Sequence, residues 1–300
     1  MRAYIELPPN MSKAMDRVVR ALKVHAPRHV QFVKKEEDAE FVLIHVIGYP
    51  ETVETVKRCV DRGQKYGIVQ YCMRSTQRPN TRDWIGMWQH AEIVWSYYDL
   101  KALLEHDHPS MSSGVLDDGW AIKFYMSPLG VDPIFLNTEP IYTKMHTMLT
   151  SGFVAESEGV AEVSAAVKQI GGRHFHLGPK DAAPNADLWG MGISDPQLAD
   201  VYARCCWVAG LRRCEGFEMP AAEGLVCGAR PIMFDAPHYR RWFEPWAQFV
   251  PEGTFDEVVA AIVDIFEGGF KVPTDDERKA AVERFDWKRI IPPFWEGVAA

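Results

Sequence analysis

Strand-like and helix-like segments alternate along most of the chain. "AYIEL" (3–7) leads into "SKAMDRVVRALKVHA", where Ser12 stands as an N-cap and Met15, Val18, Val19 and Leu22 recur at helical spacing. "HVQFV" and "EFVLIHVIG" then read as strands, "PETVETVKRCVDRG" as a helix stopping at Gly63, and "YGIVQYCM" as another buried strand. "TRDWIGMWQHA" and "YDLKALLEH" read as helices on either side of the strand "EIVWSY", and "IKFYMSPLGVD" as a strand running into a loop. Strands that are apolar on both faces and joined by helices assemble into a parallel sheet with helices on each side. The chain is therefore expected to be α/β.

The pattern restarts after a Pro-spaced junction, "VDPIFLNTEP", so a second α/β domain is expected from about residue 140. Its opening reads as the strand "HTMLTSGFV", the helix "EGVAEVSAAVKQIG" closed by Gly171 and Gly172, and the strand "RHFHLG". "SDPQLADVYARC" follows as a helix capped by Ser194 or Asp195 and entered through Pro196, and then the strand "CWVAGLR". At 300 residues with 47% apolar content, the chain can bury two cores of this kind.

The formal charge of −8 gives no overall basic surface for duplex nucleic acid, and no apolar run approaches the ~20 residues of a membrane span. The six cysteines include no C-x-x-C pair and the N-terminus is not signal-like, so reduced thiols and a cytoplasmic location are expected.

Chemistry concentrates in "CEGFEMPAAEGLVCGARPIMFD" (214–235), where Glu215 and Glu223 flank a Met219-Pro220 step. Pro220 suits the first turn of a short helix, Gly228 its end, and "RPIMF" the next strand. Backbone N–H groups from Met219 to Ala222, aided by the helix dipole, would form an anion site for a phosphate or diphosphate. Ala221 and Ala222 are small enough for a ligand to approach. Glu223 can accept from the vicinal hydroxyls of a ribose, and Glu215 faces what lies beyond the diphosphate. A nucleotide-sugar has that shape.

At these residues the chain resembles the GT-B glycosyltransferases, in particular the retaining class whose signature reads roughly E-G-F-G-L-P-x-x-E-A-M-A-x-G-x-P-V. Glu215, Gly216, Phe217, Glu218, Met219, Pro220, Ala221, Ala222 and Glu223 stand in that order here, followed by Gly228 and Pro231. "PLGVD" (128–132) is similar to the hinge loop of that class, and "RFDWKRIIPPFW" to its closing segment, which crosses back onto the N-terminal domain. The resemblance covers the chain from about residue 128 onward and is that of compact phage and bacterial enzymes.

The resemblance implies two Rossmann-like domains: residues 1–139 on the acceptor side, 140–283 for the nucleotide-sugar, and 284–300 returning to the first domain. It implies a hexosyltransferase-like transfer from a UDP-sugar with retention, and neither cofactor nor metal. Glu215 and His45 would be catalytic, His45 standing where many relatives carry a strand-end histidine; a hydrogen-bonded core histidine is the competing reading. Glu223, Gly216, Phe217, Glu218, Met219, Ala221, Ala222 and Gly152 would bind the donor.

One departure is pronounced. The class carries G-R-x-x-x-x-K-G at the start of its second domain, and this chain reads Gly152-Phe153-Val154-Ala155-Glu156-Ser157-Glu158-Gly159, without either cation. Arg212 and Arg213, beside the motif, are the candidates to neutralise the diphosphate. The loss also motivates a rival reading, a non-catalytic nucleotide-sugar-binding module. The acceptor stays open between protein, glycan, small molecule and a hydroxymethylated DNA base.

Other signals read as structure. His106-Asp107-His108 and His174-Phe175-His176 lack further ligands for a metal site. Asp117-Asp118 before Gly119 reads as a turn, and Gly190-Met191-Gly192 does not continue as a dinucleotide fingerprint. Trp84, Trp88, Trp95, Trp242 and Trp246 read as packing residues before sugar platforms.

Overall fold

A computed structural model describes residues 1–7, 12–46, 50–71, 86–100, 123–141, 147–153, 157–213 and 216–299. The expected helix "YDLKALLEH", His106, Asp107, His108, Asp117, Asp118, Gly119 and Trp84 lie wholly or largely outside them, as do Cys72, Cys214 and Glu215. Two units form: Met1–Leu129 with Glu215–Phe217 and Trp287–Ala300, and Gly130–Cys214 with Glu218–Asp286.

The first unit holds β1 (Arg2–Glu6), β2 (Gln31–Phe32), β3 (Phe41–Val46), β4 (Lys65–Gln70), β5 (Ile93–Ser96) and β6 (Lys123–Met126). They pair in parallel in the order β2-β1-β3-β4-β5-β6. Every residue of β3 is buried, as a run apolar on both faces but for His45 requires. Helix α1 (Lys13–Val24) starts where Ser12 Oγ accepts the Met15 N–H at 3.2 Å, and it buries Met15, Val18, Val19 and Leu22. Helix α2 (Pro50–Asp61) links β3 to β4.

The second unit holds β7 (Thr147–Ser151), β8 (Arg173–Leu177), β9 (Leu188–Gly190), β10 (Trp207–Gly210), β11 (Arg230–Phe234) and β12 (Gln248–Val250), all parallel, in the order β12-β11-β10-β7-β8-β9. Its helices are α3 (Pro133–Leu136), α4 (Val160–Gln169), α5 (Asp195–Ala203), α6 (Met219–Val226), α7 (Pro237–Phe243), α8 (Phe255–Glu267) and α9 (Asp275–Arg284). Ser194 caps α5 in a capping box with Gln197, and Pro196 occupies its first turn. Cys59, Cys205, Cys206 and Cys227 are buried and form no disulfide.

The last helix, α10 (Trp287–Ala299), belongs to the first unit. Its buried residues Trp287, Ile290, Ile291, Phe294 and Trp295 follow the i, i+3, i+4, i+7, i+8 rhythm of one apolar face. Trp295 Nε1 donates to the Leu22 carbonyl at 3.1 Å, Tyr125 Oη to the Ile290 carbonyl at 2.6 Å, and Trp287 meets Trp95 edge-on. Trp88, Trp95, Trp242 and Trp246 are all buried. Among the described residues no helix is long and apolar enough to cross a membrane.

In each sheet the chain runs outward to one side and then resumes on the other. The reversal falls between β1 and β3 in the first unit and between β7 and β10 in the second. At such a switch point the connections leave in opposite directions, opening a crevice at the carboxyl ends of the strands.

Candidate functional site

The second crevice is built from the turns after β7 and β10. Gly152 follows β7 with φ 151°, a backbone conformation that calls for glycine, and the Glu158 carboxylate occupies the space where its Cβ would lie. The Phe153 N–H donates to Glu158 Oε2 at 2.6 Å, while the Phe153 ring is 73% exposed. Beyond β10, Arg212 Nη2 donates to the Ser151 carbonyl at 3.1 Å and to its hydroxyl at 3.3 Å. Arg212 Nε stands 3.5 Å from Glu158 Oε1 and 3.8 Å from Glu218 Oε2.

Arg213 turns elsewhere. Its Nη2 lies 2.7 Å from Glu162 Oε1, and its guanidinium sits 4.8 Å from the centre of the Phe234 ring. The two arginines thus hold different partner sets. Arg212 is the one held between Gly152's turn and the start of α6.

That start differs from the cradle expected of the sequence. Pro220 has no N–H, and the Ala222 N–H is taken by the Glu218 carbonyl at 3.1 Å. Met219 is 6% exposed, and Ala221 and Ala222 are fully buried, so their small side chains serve internal packing and offer no surface to a ligand. Glu218, at the N-cap, brings its own carboxylate to the positive end of the helix. It is buried, with Tyr239 Oη 3.4 Å from its Oε1; the same hydroxyl lies 2.9 Å from the Arg212 carbonyl.

Glu223 sits one turn on, buried, where its Oε2 accepts from Tyr202 Oη at 3.1 Å. Gly216 and Phe217 group with the first unit: a Cβ on Gly216 would overlap the Tyr97 and Tyr98 rings, and Phe217 packs 5.9 Å from Tyr97. Their aromatic packing accounts for both residues without a ligand. Glu215 lies outside the described residues.

His45, near the end of β3, belongs to the first crevice. Its Nδ1 lies 2.8 Å from Tyr71 Oη, the two rings stack at 5.7 Å, and its Nε2 has no hydrogen-bond partner among the described residues. Burial lowers its pKa to about 3, so the ring is neutral at ordinary pH.

His174 and His176 share a face of β8, as their i, i+2 spacing requires, and Thr150 Oγ1 lies between them at 2.7 Å from His174 Nε2 and 2.9 Å from His176 Nδ1. Ser164 Oγ extends the chain to His174 Nδ1 at 3.0 Å. One hydroxyl proton serves only one ring, so Thr150 donates to one histidine and accepts from the other. Burial, then the neighbouring His176, lowers the His174 pKa to about 4. Burial also lowers that of His176, opposed by Glu158 and the Gly152 carbonyl.

Of the residues expected at the donor, Gly152, Arg212 and Glu218 lie near one another, beyond the ends of β7 and β10. The partners Ser151, Glu162, Tyr202 and Tyr239 carry no spacing signal in the sequence. Glu158 was visible only as the place of a missing lysine.

No protein-family model matches the sequence, and no curated protein matches it. Solved structures match in fold. The sucrose-phosphate synthase of Thermosynechococcus elongatus is similar over 85% of this chain and 72% of its own, at 14% identity and a TM-score of 0.66. A glycosyltransferase from Rickettsia africae is similar over 99% of this chain and 97% of its own, at 8% identity and a TM-score of 0.65. The pneumococcal O-GlcNAc transferase GtfA, solved with UDP and GlcNAc, is similar over 96% of this chain and 60% of its own, at 13% identity and a TM-score of 0.61. The chain has the α/β GT-B fold.

Proposed function

We propose that the protein is a glycosyltransferase that takes a sugar from a nucleotide-sugar donor, held by the second unit, and passes it to an acceptor with retention and without a metal ion. The observation that carries this reading is the convergence, beyond the carboxyl ends of β7 and β10, of a tight glycine turn, the Phe153 N–H and the Arg212 guanidinium. An arginine and a backbone N–H at the switch point of a parallel sheet suit a phosphate group. GtfA, with its UDP and GlcNAc, shares the fold.

In this reading Arg212 stabilises the departing diphosphate, and Glu215, eight residues before Glu223, orients the transferred sugar and favours positive charge growing on it. A second reading, binding without turnover, draws on Glu158 and Glu218, whose carboxylates already flank Arg212.

A thermal-shift screen across nucleotide-sugars, followed by hydrolysis and transfer assays on the hits, separates the two. Ligands that shift Tm and are consumed support the transferase, whereas binding with no turnover supports the second reading. If nothing binds, both fall. For the transferase, Glu215→Gln is expected to slow transfer ~10-fold, about 1.4 kcal/mol of transition-state stabilisation, with UDP affinity unchanged.

A further inference from the structure

We propose that Glu158 is an internal counter-anion: its carboxylate occupies the anion position of the second crevice, and a diphosphate binds there only by displacing it. The proposal rests on the donor-site reading above and specifies how that site is regulated.

The carboxylate is gripped from two sides. Its Oε2 receives the Phe153 N–H at 2.6 Å, and its Oε1 lies 3.5 Å from Arg212 Nε. It fills the place where any side chain at position 152 would begin. A backbone N–H and a guanidinium converging beyond the carboxyl end of a strand form the arrangement that holds a phosphate oxygen pair, and here a side chain of the same protein has taken it.

The contact is partly withdrawn from water, with the Glu158 and Arg212 side chains 17% and 20% exposed. Arg212 is also fixed from behind by Ser151 and flanked by the buried Glu218, so it stays in the crevice when Glu158 leaves. An incoming phosphate therefore meets Arg212 already shared by two carboxylates, and its charge is opposed by both while Glu158 remains. Like charges a few ångströms apart in a half-buried site repel strongly. Glu158 thereby sets the affinity of the crevice for anionic ligands.

The test measures binding of inorganic pyrophosphate and of UDP by titration calorimetry to the parent, Glu158→Gln and Glu158→Asp, with circular dichroism melts to establish that each is folded. Glutamine keeps an oxygen for the Phe153 N–H but removes the charge, and pyrophosphate is expected to bind it at least ~10-fold more tightly than the parent. Aspartate keeps the charge but is one methylene short of the Phe153 N–H, and an intermediate gain of ~3-fold is expected.

Equal or weaker pyrophosphate binding by Glu158→Gln overturns the proposal. So does a Glu158→Asp variant indistinguishable from the parent, which would reduce the effect to long-range charge, and so does a failure of all three proteins to bind pyrophosphate. If pyrophosphate tightens as expected while UDP binds no better than pyrophosphate and no nucleotide-sugar is consumed, the role of Glu158 stands and the glycosyltransferase reading falls.

Discussion

In the first unit the sheet order reverses between β1 and β3; His45, near the end of β3, is neutral, buried and paired with Tyr71, while Glu6, the last residue of β1, accepts from Thr55 Oγ1 at 3.2 Å and lies 4.0 Å from Arg58 Nη2. In the second unit the reversal falls between β7 and β10 and is crowded with Glu158, Arg212 and Glu218. Parallel sheets of the same strand number thus place a neutral histidine and one loosely paired, partly exposed carboxylate at one crevice, and two carboxylates closing on one mostly buried arginine at the other. Topology supplies the crevice; the side chains after the strands decide which one attracts an anion.

Acid should blur that contrast by the largest amount. His45 and His174 titrate near 3 and 4 in the folded protein, against about 6.5 unfolded, so the unfolded chain binds more protons as pH falls. The stability tied to their neutral forms is fully present above pH ~6.5 and drains at about 1.4 kcal/mol per pH unit for each histidine between that value and ~4. Over two pH units one histidine accounts for about 3 kcal/mol. Denaturant titrations at stepped pH should show His45→Gln flattening this slope; an unchanged slope would mean that His45 is charged inside the first unit and that the contrast is misdrawn.

Removing the cation attacks the other side. Arg212→Ala leaves the buried Glu218 without its nearby guanidinium and should destabilise the second unit by roughly 2–3 kcal/mol. That is less than the 3–5 kcal/mol of a fully buried pair, because Arg212 keeps 20% of its side-chain surface. Denaturant unfolding measures the loss. A change below ~0.5 kcal/mol would make Arg212 a surface residue and its pairing incidental.

The smallest effect sharpens what Glu223 contributes. Tyr202→Phe deletes the hydroxyl that Glu223 accepts from, at a cost of about 1 kcal/mol, and leaves the carboxylate in place. If Glu223 reaches a donor ribose, Glu223→Gln should weaken UDP binding ~10-fold while Tyr202→Phe should not. Equal stability losses with unchanged UDP affinity would assign Glu223 to the core alone.

The sequence was most legible where burial is two-sided. "EFVLIHVIG", "CWVAGLR" and "RPIMF" carry predominantly apolar runs, and each lies in an interior strand of its sheet. The edge strands β9 and β12 were not anticipated, since three residues hold no period; in β9, Leu188 and Trp189 are 57% and 41% exposed. In the candidate site, glycines and arginines could be read from the motif because their roles depend on backbone shape and charge. Which carboxylate pairs with which arginine could not, because Glu158 and Arg212 meet through β-strand order and not through sequence spacing.

The last helix carries a consequence for how the protein is made. Trp287, Phe294 and Trp295 complete the packing around Trp95, Phe32 and Phe41, residues synthesised far earlier in the chain. On the ribosome, residues 130–286 emerge whole while the first unit still lacks its final side. The later-made unit can finish folding first, and the nascent amino-terminal one waits with an apolar flank uncovered, the stretch of its life in which a chaperone has something to hold.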